Sequence, residues 1–304
     1  MKARDLADLL LLAALWGASF LFMRVAAPVF GPLALMELRV VIAALFLLAI
    51  VAWRAQLPAL RANLLPAGTV GLLNSALPFA LFGYAVLTLT AGFASILNAT
   101  TPMWTAAIGA LLFRERNRAS QWLGLLLGVA GVAVLVWGKV DLRPGSTQWS
   151  ATLAVLACLA AAASYGVGAH LTRRIQAGIA PLLTATGSQI GAAVVLLLPA
   201  VLTWPATRPA PAHWLAVLVL GVACTAFAYL LYFRLIARIG AMRAASVTFL
   251  IPLFGTFWGA LFLDEKITTQ MLAGGAIVVA GTMLALGLVG APKAVASSQP
   301  GSGR

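Results

Sequence analysis

Ten continuous apolar runs of roughly 18 to 24 residues, each long enough to cross a hydrocarbon layer of about 30 Å, take up almost the whole of this sequence. They fall at about 6–25, 33–53, 64–87, 92–113, 120–137, 150–171, 181–202, 214–236, 241–263 and 267–289. Inside a bilayer every backbone N–H and C=O needs a partner from the protein itself, so a span is either a helix or a strand of a closed barrel. A barrel needs short alternating strands, and these runs are unbroken. The sequence therefore predicts an all-α membrane protein with ten transmembrane helices. With 62% hydrophobic and 9% charged residues in 304, too little polar surface remains to coat a water-soluble globule. The formal charge of +13 could suggest nucleic acid, but Lys and Arg stand singly or in small clusters between apolar runs. That pattern excludes nucleic acid as a partner and leaves the lipid bilayer.

The second half repeats the first. A shift of about 150 positions lays Pro102, Gly109-Ala110-Leu111, Glu115, Gly124 and Val129-Ala130-Gly131 on Pro252, Gly259-Ala260-Leu261, Glu265, Gly274 and Val279-Ala280-Gly281. The copies are residues 1–140 and 150–290; the Gly/Ser-rich segment 291–304 is expected to be a disordered tail. Each copy holds five spans, an odd number, so the second is expected to enter the membrane upside down. The loops agree: Arg114-Glu115-Arg116-Asn117-Arg118 is net basic and its counterpart Asp264-Glu265-Lys266 is net acidic. Placing the N- and C-termini in the cytoplasm puts 14 of the 20 Lys and Arg residues inside. An internal repeat in so apolar a chain is the mark of a secondary transporter built from two related halves around one site.

Other classes lack their chemistry. An intramembrane enzyme needs a nucleophile with a base, a carboxylate pair or metal ligands, whereas this chain has two histidines, His170 and His213, and no HExxH motif. An ATP-driven pump needs a phosphate-binding loop and a soluble domain, and neither is present. No enzyme activity, metal or cofactor is expected. Cys158 and Cys224 fall within spans and are read as packing residues rather than a disulfide. The first apolar run has no small-residue cleavage site and reads as a retained helix.

Asn98-Ala99-Thr100-Thr101-Pro102, then Leu111 to Arg116, Gln121-Trp122-Leu123-Gly124 and Gly128-Val129-Ala130-Gly131, together with the second copy from Ile251-Pro252 to Gly281, resemble the EamA repeat of the drug/metabolite transporter superfamily. Trp16-Gly17 and Leu38-Arg39 fit the same pattern. The resemblance covers the chain to Gly290. It implies two inverted five-helix halves around a central cavity, in the cytoplasmic (inner) membrane, and export of amino acids or related metabolites.

Residues at i, i+3, i+4 and i+7 share a helix face. Trp16, Ser19, Phe20 and Met23 form such a stripe, as do Asn98, Thr101 and Thr105, and Thr225, Tyr229 and Tyr232; Tyr165, Asn74 and Ser246 add isolated positions. The candidate substrate-binding set is thus Trp16, Ser19, Phe20, Asn74, Asn98, Thr101, Tyr165, Tyr229, Tyr232 and Ser246, suited to a small, partly apolar solute. Against this stands plain packing: Ser and Thr hydroxyls bond back to their own helix, and Tyr and Trp fill space between helices. Glu37 and Arg39 lie near the outer end of the second span; Glu37 is expected to carry a proton or to pair with Arg24 or Arg39 as a gate on the outer mouth, against the alternative of a plain structural ion pair. Pro78, Pro102 and Pro252 interrupt backbone bonding within spans and are candidate gates. The expected function is alternating-access export of amino acids with apolar or aromatic side chains; the alternatives are a multidrug or cation exporter, and a channel or lipid scramblase. A monomer is expected, with a dimer left open.

Overall fold

In the computed structural model the described residues are 2–115, 117–137, 147–175, 178–206 and 208–286. Ten helical segments follow one another: α1 Ala3–Phe30, α2 Pro32–Trp53, α3 Leu57–Ala85, α4 Ala91–Phe113, α5 Ala119–Val136, α6 Gln148–Ile175, α7 Pro181–Leu202, α8 Pro211–Ile239, α9 Arg243–Leu263 and α10 Thr269–Ala285. No strand occurs among the described residues. Proline sets several starts. Pro32, Pro58, Pro181 and Pro211 sit in first turns, where a missing N–H leaves no gap in the helix ladder. Gly31 (φ 77°) and Gly240 (φ 84°) adopt the left-handed region that lets a single residue link α1 to α2 and start the turn from α8 to α9.

Several helices outrun their apolar stretches. α1 begins three residues before the expected start and α3 seven before, because hydropathy marks the hydrocarbon layer while turn and cap chemistry marks the helix end. Gly92 lies inside α4, where an added Cβ would meet Thr256 Oγ1 at 2.9 Å. The expected tail, 291–304, lies outside the described residues.

The helix ends sort into two sets. Asp8 near the start of α1 pairs with Arg234 and Arg238 at the end of α8, and Gln121 at the start of α5 donates to Ala285 O at the end of α10. This end of the bundle also carries Arg54, Arg61, Arg118, Arg173 and Arg174 and is called the basic end. At the far end Phe30, closing α1, meets Trp214, opening α8, edge to face at 4.9 Å. There Gln270 at the start of α10 donates to Val134 O and Leu135 O at the end of α5, both at 2.9 Å.

α5 packs chiefly on α10 through small residues. A Cβ on Gly124 would stand 2.4 Å from Ala285 N, one on Gly281 2.5 Å from Gly128 N, and one on Gly131 2.7 Å from Val278 N. Only glycine permits that backbone approach, so this seam joins the two copies to each other. The remaining eight helices enclose the interior.

Details recur at a spacing of 150. π-helical turns interrupt α3 at Leu72–Ala76 and α8 at Val222–Phe227. Arg114 (φ 55°) and Asp264 (φ 52°) end α4 and α9 in left-handed conformation, and the next amides, Glu115 N and Glu265 N, donate to Gly109 O and Gly259 O.

Candidate functional site

A cavity of about 400 Å³ lies among α1, α2, α3, α4, α6, α7, α8 and α9. The α1 stripe gives it Trp16, Ser19, Phe20 and Met23, one face of a helix that also packs on α9. α8 gives Thr225, Tyr229, Tyr232 and Phe233; Tyr232 leans on Trp16 with ring centroids 5.2 Å apart. Of the residues singled out for binding, Trp16, Ser19, Phe20, Asn74, Asn98, Thr101, Tyr165, Tyr229 and Tyr232 all line this space. Ser246 does not. Its hydroxyl turns back to Arg243 O at 2.7 Å, while its neighbours Ala245 and Val247 reach the wall. Thr105 is not among the lining residues either: its hydroxyl donates to Thr101 O at 3.0 Å.

Many hydroxyls are held by their own helices, as Ser and Thr in apolar segments commonly are. Thr101 donates to Asn98 O at 2.7 Å and Thr172 to Gly168 O at 2.6 Å. Asn74 differs. Its amide crosses from α3 to Thr172 of α6 at 2.8 Å, and a Cβ at Gly168 would come within 2.0 Å of its oxygen, so glycine makes room for the amide. Asn74 and Thr225 both sit in the π-helical turns, where an extra residue pushes side chains out of regular helical register toward the interior.

Arg39 is not at the mouth. It lies two turns into α2, lines the cavity and is 5% exposed. Its Nε donates to Thr225 Oγ1 at 2.8 Å, Nη1 points at Met23 Sδ at 3.7 Å, and the guanidinium stacks 3.7 Å from the Phe79 ring centroid. The expected Glu37 pairings do not form: Glu37 takes neither Arg24 nor Arg39 among the described residues. Two residues from Arg39 on a helix is nearly opposite in direction, and Glu37 faces an apolar groove with Val41, Leu45, Leu48 and Val194, its Oε2 without a hydrogen-bond partner. Arg24 pairs instead with Glu265 at 3.1 Å. Pro78, Pro102 and Pro252 lie behind the wall, each beside a lining residue: Phe79, Thr101 and Ile251. Pro102 opens the second segment of α4, which breaks at Ala99–Thr100.

The two ends of the cavity differ. Toward the basic end its lining reaches Thr172, Thr184 and Ala245, each within a turn or so of a helix terminus. Toward the far end it stops at Met23, Phe79 and Phe82, with buried Ala27, Phe30, Leu35, Val86 and Leu89 beyond. Phe20 meets Phe82 edge to face at 5.5 Å across this floor. Outside it Arg24 donates to Val86 O at 3.1 Å and Leu89 O at 2.6 Å, while Glu265 accepts from Ala91 N at 2.9 Å. At the basic end the repeat-related pair Glu115–Arg173 stands over His170, whose Nε2 bonds Thr105 O at 2.9 Å and whose ring stacks on Phe113.

Residues missed at the sequence level include Phe79, Phe82, Thr184 and Ser188. Thr184 and Ser188 are spaced by four in an apolar helix, the same stripe signal that marked α1. Among the described residues no group of three His, Cys, Asp or Glu side chains gathers as a metal site would need.

The pattern of the EamA-like transporter family matches this chain twice, over residues 7–137 and 152–287. A Salmonella typhimurium protein named "Probable amino-acid metabolite efflux pump" is 27% identical over 92% of this chain and 94% of its own length. The Escherichia coli "Uncharacterized inner membrane transporter YedA" is 26% identical over 90% and 88%. A crystal structure of another protein superposes with a TM-score of 0.65 at 20% identity, covering 95% of this chain and 98% of that one, which is a likeness of fold. With both copies of the pattern present across nearly the full described length, the chain belongs to the EamA-like transporter family.

Proposed function

We propose that this protein exports a small metabolite across the inner membrane by alternating access, its two five-helix copies being inverted about the central cavity and its termini cytoplasmic. Amino acids with apolar or aromatic side chains are the first substrates to consider. The observation that carries this reading is the cavity itself: about 400 Å³, walled by both copies, lined by aromatic rings and a few amides and hydroxyls, and reaching toward the basic end while buried side chains close the far end. The positive-inside rule makes the basic end cytoplasmic, so this arrangement is one in which a cytoplasmic solute enters. The name of the Salmonella typhimurium relative supports efflux of amino-acid metabolites. Among the described residues no carboxylate lines the cavity, which disfavours a cation exporter.

Counterflow in proteoliposomes tests it. Labelled tryptophan, phenylalanine and threonine are offered with and without a pH gradient. Saturable counterflow of an aromatic solute, reduced at least about tenfold in Asn98→Ala or Tyr229→Ala, is expected, which corresponds to roughly 1.4 kcal/mol. Flux that never saturates would indicate a channel, and no flux of any of the three would sink the amino-acid reading.

A further inference from the structure

Among the described residues Arg39 carries the single formal charge in the cavity wall, and none of them neutralises it. No acidic side chain is among the residues lining the cavity, and no ion pair to Arg39 occurs among the described residues. Burying a guanidinium without a counter-ion is costly, and such a group normally pairs or serves a ligand. Of its five N–H donors, Nε–H is taken by Thr225, whose own hydroxyl is oriented by donation to Leu220 O at 2.8 Å. One Nη1–H faces the weak acceptor Met23 Sδ. The remaining donors, including both on Nη2, find no acceptor among the described residues. The planar stack on Phe79 and the Nε anchor hold the guanidinium so that its Nη1/Nη2 edge stays available, the edge that takes a carboxylate with two parallel hydrogen bonds.

The repeat gives an internal control. Counted from the prolines that open α2 and α7, Pro32 and Pro181, the position equivalent to Arg39 is Ser188, and the equivalent of Thr225 is Ser75. Ser188 also lines the cavity but carries no charge. The cross-copy bond is taken one residue on by a neutral amide, Gln189 Nε2 donating to Ser75 Oγ at 2.9 Å, and Gln189 is fully buried. The repeat therefore supplies the scaffold twice and a positive charge once, and the cavity is electrostatically one-sided.

We propose that Arg39 is the carboxylate-binding residue of this cavity and that the substrate is an organic monocarboxylate with an apolar or aromatic body, whose α-amino group is dispensable. This rests on the transport reading above and deepens it. One guanidinium matches one negative charge, the rings of Trp16, Phe20 and Tyr232 take the body, and no lining group carries the negative charge that an ammonium would require.

The test compares three probes of one shape on the full-length protein in nanodiscs by titration calorimetry: phenylalanine, 3-phenylpropionate, which lacks the amine, and phenethylamine, which lacks the carboxylate. Wild type is expected to bind both carboxylates, with phenethylamine at least about tenfold weaker, and Arg39→Met to lose about tenfold or more for both acids, the scale of a charge-assisted hydrogen bond. Arg39→Lys, which keeps the charge but not the two-pronged geometry, should fall between. Equal binding of all three probes, stronger binding of phenethylamine, or unchanged affinity in a folded Arg39→Met overturns the carboxylate assignment while leaving a small aromatic solute in the cavity. Binding of none of the three overturns both readings. If Arg39→Met does not fold, the wild-type ranking decides alone.

Discussion

Glu115 and Glu265 occupy the same place in the two copies, and each pairs with an arginine from the opposite copy, yet their surroundings differ. Glu265 and Arg24 are 8% and 12% exposed and are further tied to four backbone groups, Val86 O, Leu89 O, Ala91 N and Gly92 N. Glu115 and Arg173 are 43% and 70% exposed, with water to screen them. Duplication has preserved the partners but not the dielectric around them, and the dielectric decides what a charge pair contributes. In this conformation the far end is bolted and the basic end is only loosely fastened. Under alternating access the two would exchange roles.

The largest effect is expected at the bolt. Glu265→Ala removes the carboxylate that pairs with Arg24 and accepts from Ala91 N; breaking such a buried pair costs about 3–5 kcal/mol and should open the far end. With Cys158 and Cys224 replaced by alanine and a cysteine placed at Leu89, which is fully buried, labelling by a membrane-impermeant maleimide should rise many-fold. Unchanged labelling in a folded protein would show that the seal is held by the apolar side chains alone. Reversing both charges, Arg24→Glu with Glu265→Arg, restores the attraction but misaligns the backbone bonds. Closure should return only in part, with a deficit of about 1–3 kcal/mol; complete recovery would mean that charge alone matters. The smallest effect is expected at the basic end, where Glu115→Gln should cost under about 1 kcal/mol and shift the melting temperature by no more than about 3 °C. A larger drop would reveal that the contacts around His170 do more than the exposure of the pair suggests.

Span positions were legible because hydropathy is summed over a whole helix, and the α1 stripe because aromatic and hydroxyl side chains at helical spacing stand out in an aliphatic segment. Arg39 was misplaced for an instructive reason. A charge in a span reads by default as sitting near a membrane surface, and only the fold shows Phe79, Met23 and Thr225 assembled from three other helices around it. Glu37 was paired with the nearest cations in sequence, although its helix points it away. The π-helical turns have no sequence signature here, so the displaced register that presents Thr225 to Arg39 was invisible, as was Glu265 reaching Arg24 in the other copy. Ser246 looked polar enough to matter, but local bonding satisfies it.

The α5–α10 pair has one further consequence. These helices are 18 and 17 residues long, about 26 Å at 1.5 Å per residue, against 28 for α1 and α6, about 42 Å. They also stand at the edge of the bundle, where their outer faces expose Leu123, Leu126, Val129 and Leu272. The protein thus presents a short flank to the bilayer, and lipid beside that flank must thin to match it. Transport rates compared across vesicles of graded acyl length would read this directly, as an optimum in the thinner bilayers, because longer chains would strain this glycine-lined seam between the copies.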